Sequence, residues 1–81
     1  MKTYIDNLKT KNRVEYETER FFYISYSDYF MGEWFGNVNV FDKRFPDHFV
    51  LHATLTEPYT LGKLKKFAKN YEKSLRRNKN A

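Results

Sequence analysis

The sequence predicts an α+β fold in which a three- to four-stranded antiparallel sheet is packed by a C-terminal basic amphipathic helix, with a short N-terminal helix alongside. Three observations lead there. Between residues 13 and 56 apolar and polar side chains alternate with period two, interrupted by polar turn segments. From Thr60 to Arg77 the period lengthens to that of a helix. Eight Phe, seven Tyr and one Trp among 81 residues supply enough large apolar side chains to fill one small core, and the length leaves no room for a second. One domain over residues 1–81 is expected, with 78–81 as a flexible tail.

Taken in order, Thr3 offers a helix cap, because Asp6 follows three residues later as in a capping box. Tyr4, Ile5 and Leu8 then share a face over about two turns; a short edge strand is the alternative. From Arg13 the chain alternates strictly. Val14, Tyr16 and Thr18 oppose Arg13, Glu15, Glu17 and Glu19, and the same parity runs on through Phe22, Ile24 and Tyr26. Unbroken, a strand over 13–27 would span roughly 50 Å, too long for so small a domain, so a bend or bulge is expected near Thr18–Arg20. Asp28–Gly32 supplies a reversal.

The second strand is expected over Glu33–Phe41, where Gly36 marks a bulge or a close backbone approach. The segment from Asp42 to Asp47 reads as a polar turn containing Pro46. The third strand, His48–Thr56, points Phe49, Leu51, Ala53 and Leu55 one way and His48, Val50, His52 and Thr54 the other. Pro58 cannot donate to a ladder and ends it; Thr60 caps the final helix. In that helix Leu61, Leu64, Ala68, Tyr71 and Leu75 form one stripe with Phe67 at its border, expected to cover Phe49, Leu51, Ala53, Leu55, Val38 and Val40. Glu72 and Arg76 stand as an i,i+4 pair.

The net charge of +5 is unevenly placed. From Lys63 onward eight Lys/Arg face one acid, a net +7, whereas residues 1–62 carry seven Lys/Arg and nine Asp/Glu, a net −2. Such segregation suggests a charged partner. The absence of cysteine excludes disulfides and thiolate metal sites. No secretory signal core and no run near the ~20 apolar residues of a membrane span is present, so a cytoplasmic protein without membrane engagement is expected. Gly-rich phosphate loops and nucleophile elbows are absent from the sequence, and neither a catalytic site nor a cofactor is expected.

Three surfaces stand out. Lys63, Lys66, Lys69, Lys73, Arg76 and Arg77 form the basic back of the helix; Lys66, Lys73 and Arg77 lie nearly in line over about 16 Å, a spacing able to follow a phosphate backbone. The sheet face away from the helix is expected to show Phe35, Asn37, Asn39, Phe41, His48, His52 and Thr54, with Phe21 and Tyr23 nearby, unless the N-terminal helix or a dimer mate covers it. Aromatics among amides and imidazoles can stack bases or form a protein-binding hot spot. Asp28, Glu33, Asp42 and Asp47, beside Tyr29, Phe30, Trp34 and Phe45, can imitate a phosphate-and-base surface or serve only as turn formers. His48 and His52 on a strand stand ~13 Å apart, too far to share a metal ion.

Lys65-Lys66-Phe67-Ala68-Lys69-Asn70 with Leu75 resembles the start of the last helix of double-stranded RNA-binding domains. In that family the helix-start lysines contact RNA phosphates, which implies that role for Lys65, Lys66 and Lys69. The family's paired alanines are Tyr71 and Glu72 here, and residues 56–63 are too few for its last hairpin.

The expected role is a non-enzymatic binding protein engaging nucleic-acid-handling machinery, in the form of a phage- or mobile-element inhibitor of a host nucleoprotein enzyme, like anti-CRISPR proteins. Direct DNA or RNA binding by the basic helix is the alternative, and a small ribonuclease or toxin using His48 and His52 the third reading.

Overall fold

A computed structural model describes residues 3–79; Asn80 and Ala81 of the expected tail lie outside the described residues. After a 3-10 turn at Tyr4–Asn7 come four strands, β1 (Thr10–Glu17), β2 (Phe21–Phe30), β3 (Glu33–Asp42) and β4 (Phe49–Leu55), and then helix α1 (Leu61–Lys79). The sheet is an antiparallel meander in the order β1-β2-β3-β4, leaving β1 and β4 as edges. The helix thus continues two residues into the expected tail.

The predicted bend at Thr18–Arg20 is a complete reversal. Thr18 N–H donates to the Phe21 carbonyl at 2.9 Å, and Phe21 N–H donates to Thr18 Oγ1 at 3.2 Å. A hydroxyl therefore closes a turn that contains neither glycine nor proline. Tyr16 pairs with Tyr23, and directly opposed residues point to the same face. Val14 and Tyr16 consequently share the helix side with Phe21 and Tyr23, while Phe22, Ile24 and Tyr26 turn to the opposite side. The single parity drawn through 13–27 is corrected by that turn.

The β2–β3 hairpin closes with two residues, Met31 (φ 51°) and Gly32 (φ 83°), both in the left-handed region as a type I′ turn requires. Because β2 runs to Phe30, Asp28 belongs to a strand rather than to a turn. Between β3 and β4, Val40 pairs with Leu51 but Phe41 with Phe49, so Val50 is the extra residue of a bulge. The bulge moves Phe49 away from the helix side, where strict alternation had placed it, and against Tyr4 at 5.7 Å between centroids.

Two apolar clusters fill the faces. On one side Leu64 and Ala68 of α1 are buried on Phe21, Tyr23, Val38 and Val40, flanked by half-buried Leu51, Ala53, Leu55, Phe67, Tyr71 and Leu75. Leu61, expected in the same stripe, is 44% exposed, because the helix begins at the margin of the sheet. On the other side Ile5 and Tyr4 of the 3-10 turn cover Phe22, Ile24, Tyr26 and Phe41. Asp6 secures that turn: its carboxylate accepts the Thr3 N–H at 2.8 Å and the Arg13 guanidinium at 2.5 Å.

The β4–α1 connection passes directly over Gly36. A Cβ there would lie 2.2 Å from the Glu57 carbonyl carbon, so the close approach read from this glycine is real. Ser25 holds the same crossing: its hydroxyl accepts the Tyr59 N–H at 2.8 Å and donates to the Asn37 carbonyl at 3.0 Å. Thr60 then caps α1, its carbonyl accepting Leu64 N–H at 2.9 Å and its hydroxyl Lys63 N–H at 3.4 Å.

Candidate nucleic-acid interface

Burial of Leu64 and Ala68 fixes the rotation of α1, and with it the direction of the basic residues. Lys63, Lys65, Lys66, Lys69, Lys73 and Arg76 are all exposed. Among the described residues none of these cations forms a salt bridge. The single acid of the helix, Glu72, is half-buried at the edge of the same surface. Glu72 Oε2 accepts the Tyr23 hydroxyl at 2.6 Å, so the expected Glu72–Arg76 pair does not form. Buried beside that carboxylate, the Tyr23 phenol is raised well above its ordinary pKa, first by desolvation and then by the hydrogen bond to Glu72.

Five of the cations, Lys65, Lys66, Lys69, Lys73 and Arg76, line a groove of about 780 Å³ between α1 and the edge strand β1, together with Tyr16, Thr18 and the carboxylate of Glu72. Lys65 Nζ sits 5.8 Å from the centre of the Tyr16 ring. Lys63 lies on the first turn outside the groove, and the Arg77 side chain lies outside the described residues. Sequence reasoning found the helix cations but missed the groove's floor, because only the hairpin at Thr18–Arg20 brings β1 beneath the helix.

The opposite sheet face is largely closed. Phe41 and Asn39 are fully buried and Asn37 is 7% exposed. The Asn39 side chain donates to the Tyr26 hydroxyl at 2.8 Å and its Oδ1 is hydrogen-bonded to His52 Nδ1 at 2.6 Å. Desolvation pushes the Tyr26 phenol up to about 12. The 3-10 turn hides this half of the face, as the covering alternative anticipated. Phe21 and Tyr23 are on the helix side and contribute nothing here. What stays open is a pocket of about 270 Å³ lined by Asp28, Phe30, Phe35, Asn37 and Thr54, together with exposed His52 and, in the loop before β4, exposed His48.

The four acids divide. Asp42 is 4% exposed, and its carboxylate receives Arg44 at 2.8 Å and Arg20 at 3.2 Å. Hydrogen bonds from Arg44 above all, and from Arg20, hold its pKa well below the usual carboxylate range. It is a structural ion-pair centre and not part of an acidic recognition surface. Glu33 and Asp47 are exposed, and Asp28 is half-buried beside the pocket. Among the described residues no group of three or more His, Cys, Asp or Glu is placed to hold a metal ion, and no helix is long and apolar enough to cross a membrane.

A feature that the sequence showed only as aromatics near acids is the β2–β3 hairpin tip. Tyr29 (57%), Phe30 (64%), Met31 (86%) and Trp34 (42%) are exposed there, with Tyr29 edge-on to Trp34 and Lys11 Nζ 3.8 Å above the indole. No protein-family model matches the sequence, and neither curated proteins nor solved structures give a match.

Proposed function

We propose that this protein is a non-enzymatic binding domain that engages nucleic acid directly, laying the phosphate backbone along the groove between α1 and β1. The observation that carries the reading is the convergence on one groove of five cations against one carboxylate, Glu72, with no salt bridge to any of the five among the described residues. Cations already paired within the fold release no counterions on binding a phosphate; these five are free to do so. Contacts of this kind position a backbone without reading sequence. The test is titration of labelled duplex DNA, duplex RNA and single strands at two salt concentrations. Complexes are expected at low salt, weakened by salt and lost when Lys66, Lys69 and Lys73 are replaced by Gln. Absence of any complex at low salt overturns the reading.

One observation favours a second reading, in which the chain inhibits a nucleoprotein enzyme of a phage's or mobile element's host. The hairpin tip places an 86%-exposed Met31 at a left-handed position that Asn or Gly would occupy with less strain. An exposed thioether kept at that cost, beside Tyr29, Phe30, Glu33 and Trp34, suits contact with another protein. That reading predicts inhibition of a purified nucleoprotein enzyme that Met31→Asn and Phe30→Ala relieve while the Lys66/Lys69/Lys73 variant does not. His52, engaged with buried Asn39, gives the nuclease reading no support.

A further inference from the structure

The two edges of the sheet are protected very differently. β1 carries Lys11, Arg13, Glu15 and Glu17 and is broken by an irregularity between Lys11 and Val14. Charged side chains and bulges are the means by which edge strands refuse further pairing. β4, Phe49–Leu55, contains no acidic or basic residue other than His52, and beyond the bulge at Val50 its pairing with β3 is regular from Leu51 to Leu55. Its outer edge presents backbone donors and acceptors with no strand beside them.

We infer that β4 is a self-pairing edge, and that two copies of the chain join there into a continuous eight-stranded antiparallel sheet. The occupant is identified by the pattern of the strand itself. Leu51-His52-Ala53-Thr54-Leu55 reads apolar, polar, apolar, polar, apolar in either direction. An antiparallel pairing centred on Ala53 sets Leu51 against the copy's Leu55 on the helix side and His52 against the copy's Thr54 on the other. Apolar meets apolar, imidazole meets hydroxyl, and no like charges face each other. Half-buried Leu51, Ala53 and Leu55 gain apolar neighbours across the join and lose part of their exposed surface. Since the interface is two-fold and isologous, one pairing removes the exposed edge of both copies. Both basic grooves lie at the far, β1 edges, so pairing leaves them open.

Covalent trapping tests register and partner together. Antiparallel partners facing each other across the two-fold axis have Cα atoms ~4.5–5.5 Å apart, within the ~4.4–6.8 Å that a disulfide spans. The chain has no other cysteine. Under mild oxidation Ala53→Cys is expected to convert to a dimer of twice the 9.9 kDa chain, whereas Thr54→Cys, displaced from the axis, stays mostly unlinked. Sedimentation equilibrium of the unmodified chain should show a monomer–dimer equilibrium, and Thr54→Lys should shift its midpoint upward by roughly tenfold through an edge charge. Circular dichroism checks that each variant is folded. A monomer up to several hundred micromolar, or equal linking of the two cysteine variants, overturns the proposal.

Discussion

Replacing Gly36 by Ala probes the contact that seats α1 on the sheet. The added methyl would lie 2.2 Å from the Glu57 carbonyl carbon and 2.5 Å from both the Glu57 oxygen and the Pro58 nitrogen. Comfortable carbon contacts lie near ~3.5–4.0 Å, so the connection must retreat by more than 1 Å, roughly the shortfall between the two distances. All three obstructing atoms are backbone, and Pro58 stiffens them, so no side-chain rotamer can relieve the clash. Retreat also pulls the Tyr59 N–H from Ser25 Oγ, now at 2.8 Å, a net loss of about 1 kcal/mol. Overpacking adds about 1–3 kcal/mol, and the lower entropy of unfolded alanine returns about 0.4–1 kcal/mol. The expected net destabilisation is about 1–3.5 kcal/mol, which lowers the melting temperature of a domain this size by roughly 5–25 °C. Thermal and urea unfolding followed by circular dichroism measure it. A Gly36→Ala protein within about 0.5 kcal/mol of the parent would refute the seating of α1 described here.

Further outcomes follow from the same contacts. Gly62→Ala meets no atom within 4 Å and should stabilise the exposed first turn of α1 by about 1 kcal/mol, read in the same melts. Met31→Asn matches the left-handed position of the β2–β3 turn and should raise stability by about 0.5–1 kcal/mol in urea titrations. Tyr23→Phe removes the hydroxyl that ties β2 to Glu72 and should cost about 1–2 kcal/mol, with Tyr23→Phe/Glu72→Gln costing less than the sum of the single changes in a double-mutant cycle. Asp42 has a folded pKa held below its ordinary 3.8. Its contribution to stability is therefore complete above that value and is lost as pH falls through the depressed folded one. Urea midpoints measured below pH 4 should fall less steeply with acidification in Asp42→Asn than in the parent, from a lower starting stability.

Helix α1 was legible because its signal is local. The 3.6-residue period, the Thr60 cap and the run of lysines all act within a turn or two, and burial of Leu64 and Ala68 then settles which side faces water. The sheet was legible in kind, since period-two alternation needs only neighbouring residues, and Gly36 signalled a bulge or a close backbone approach, of which the structure shows the second. The faces of β3 and of residues 51–55 followed from alternation; what could not be read was the face shown by β2 and by Phe49. That depends on single residues at turns: Thr18, whose hydroxyl closes a reversal without glycine or proline, and Val50, whose insertion as a bulge turns Phe49 over. Asp42 looked like a solvated turn acid because its two arginine partners, Arg20 and Arg44, straddle it from different segments. The groove followed the same rule: its cations were evident, but its floor on β1 required the hairpin.

The proposed function requires that the five groove cations meet a phosphate backbone. The most direct measurement is the slope of log binding constant against log salt concentration for a labelled DNA duplex, by fluorescence anisotropy. Full engagement of Lys65, Lys66, Lys69, Lys73 and Arg76 predicts a slope near −4.5 at about −0.9 per phosphate contact, falling to roughly −1.8 when Lys66, Lys69 and Lys73 become Gln. A slope that the triple replacement leaves unchanged, or no binding at low salt, contradicts it.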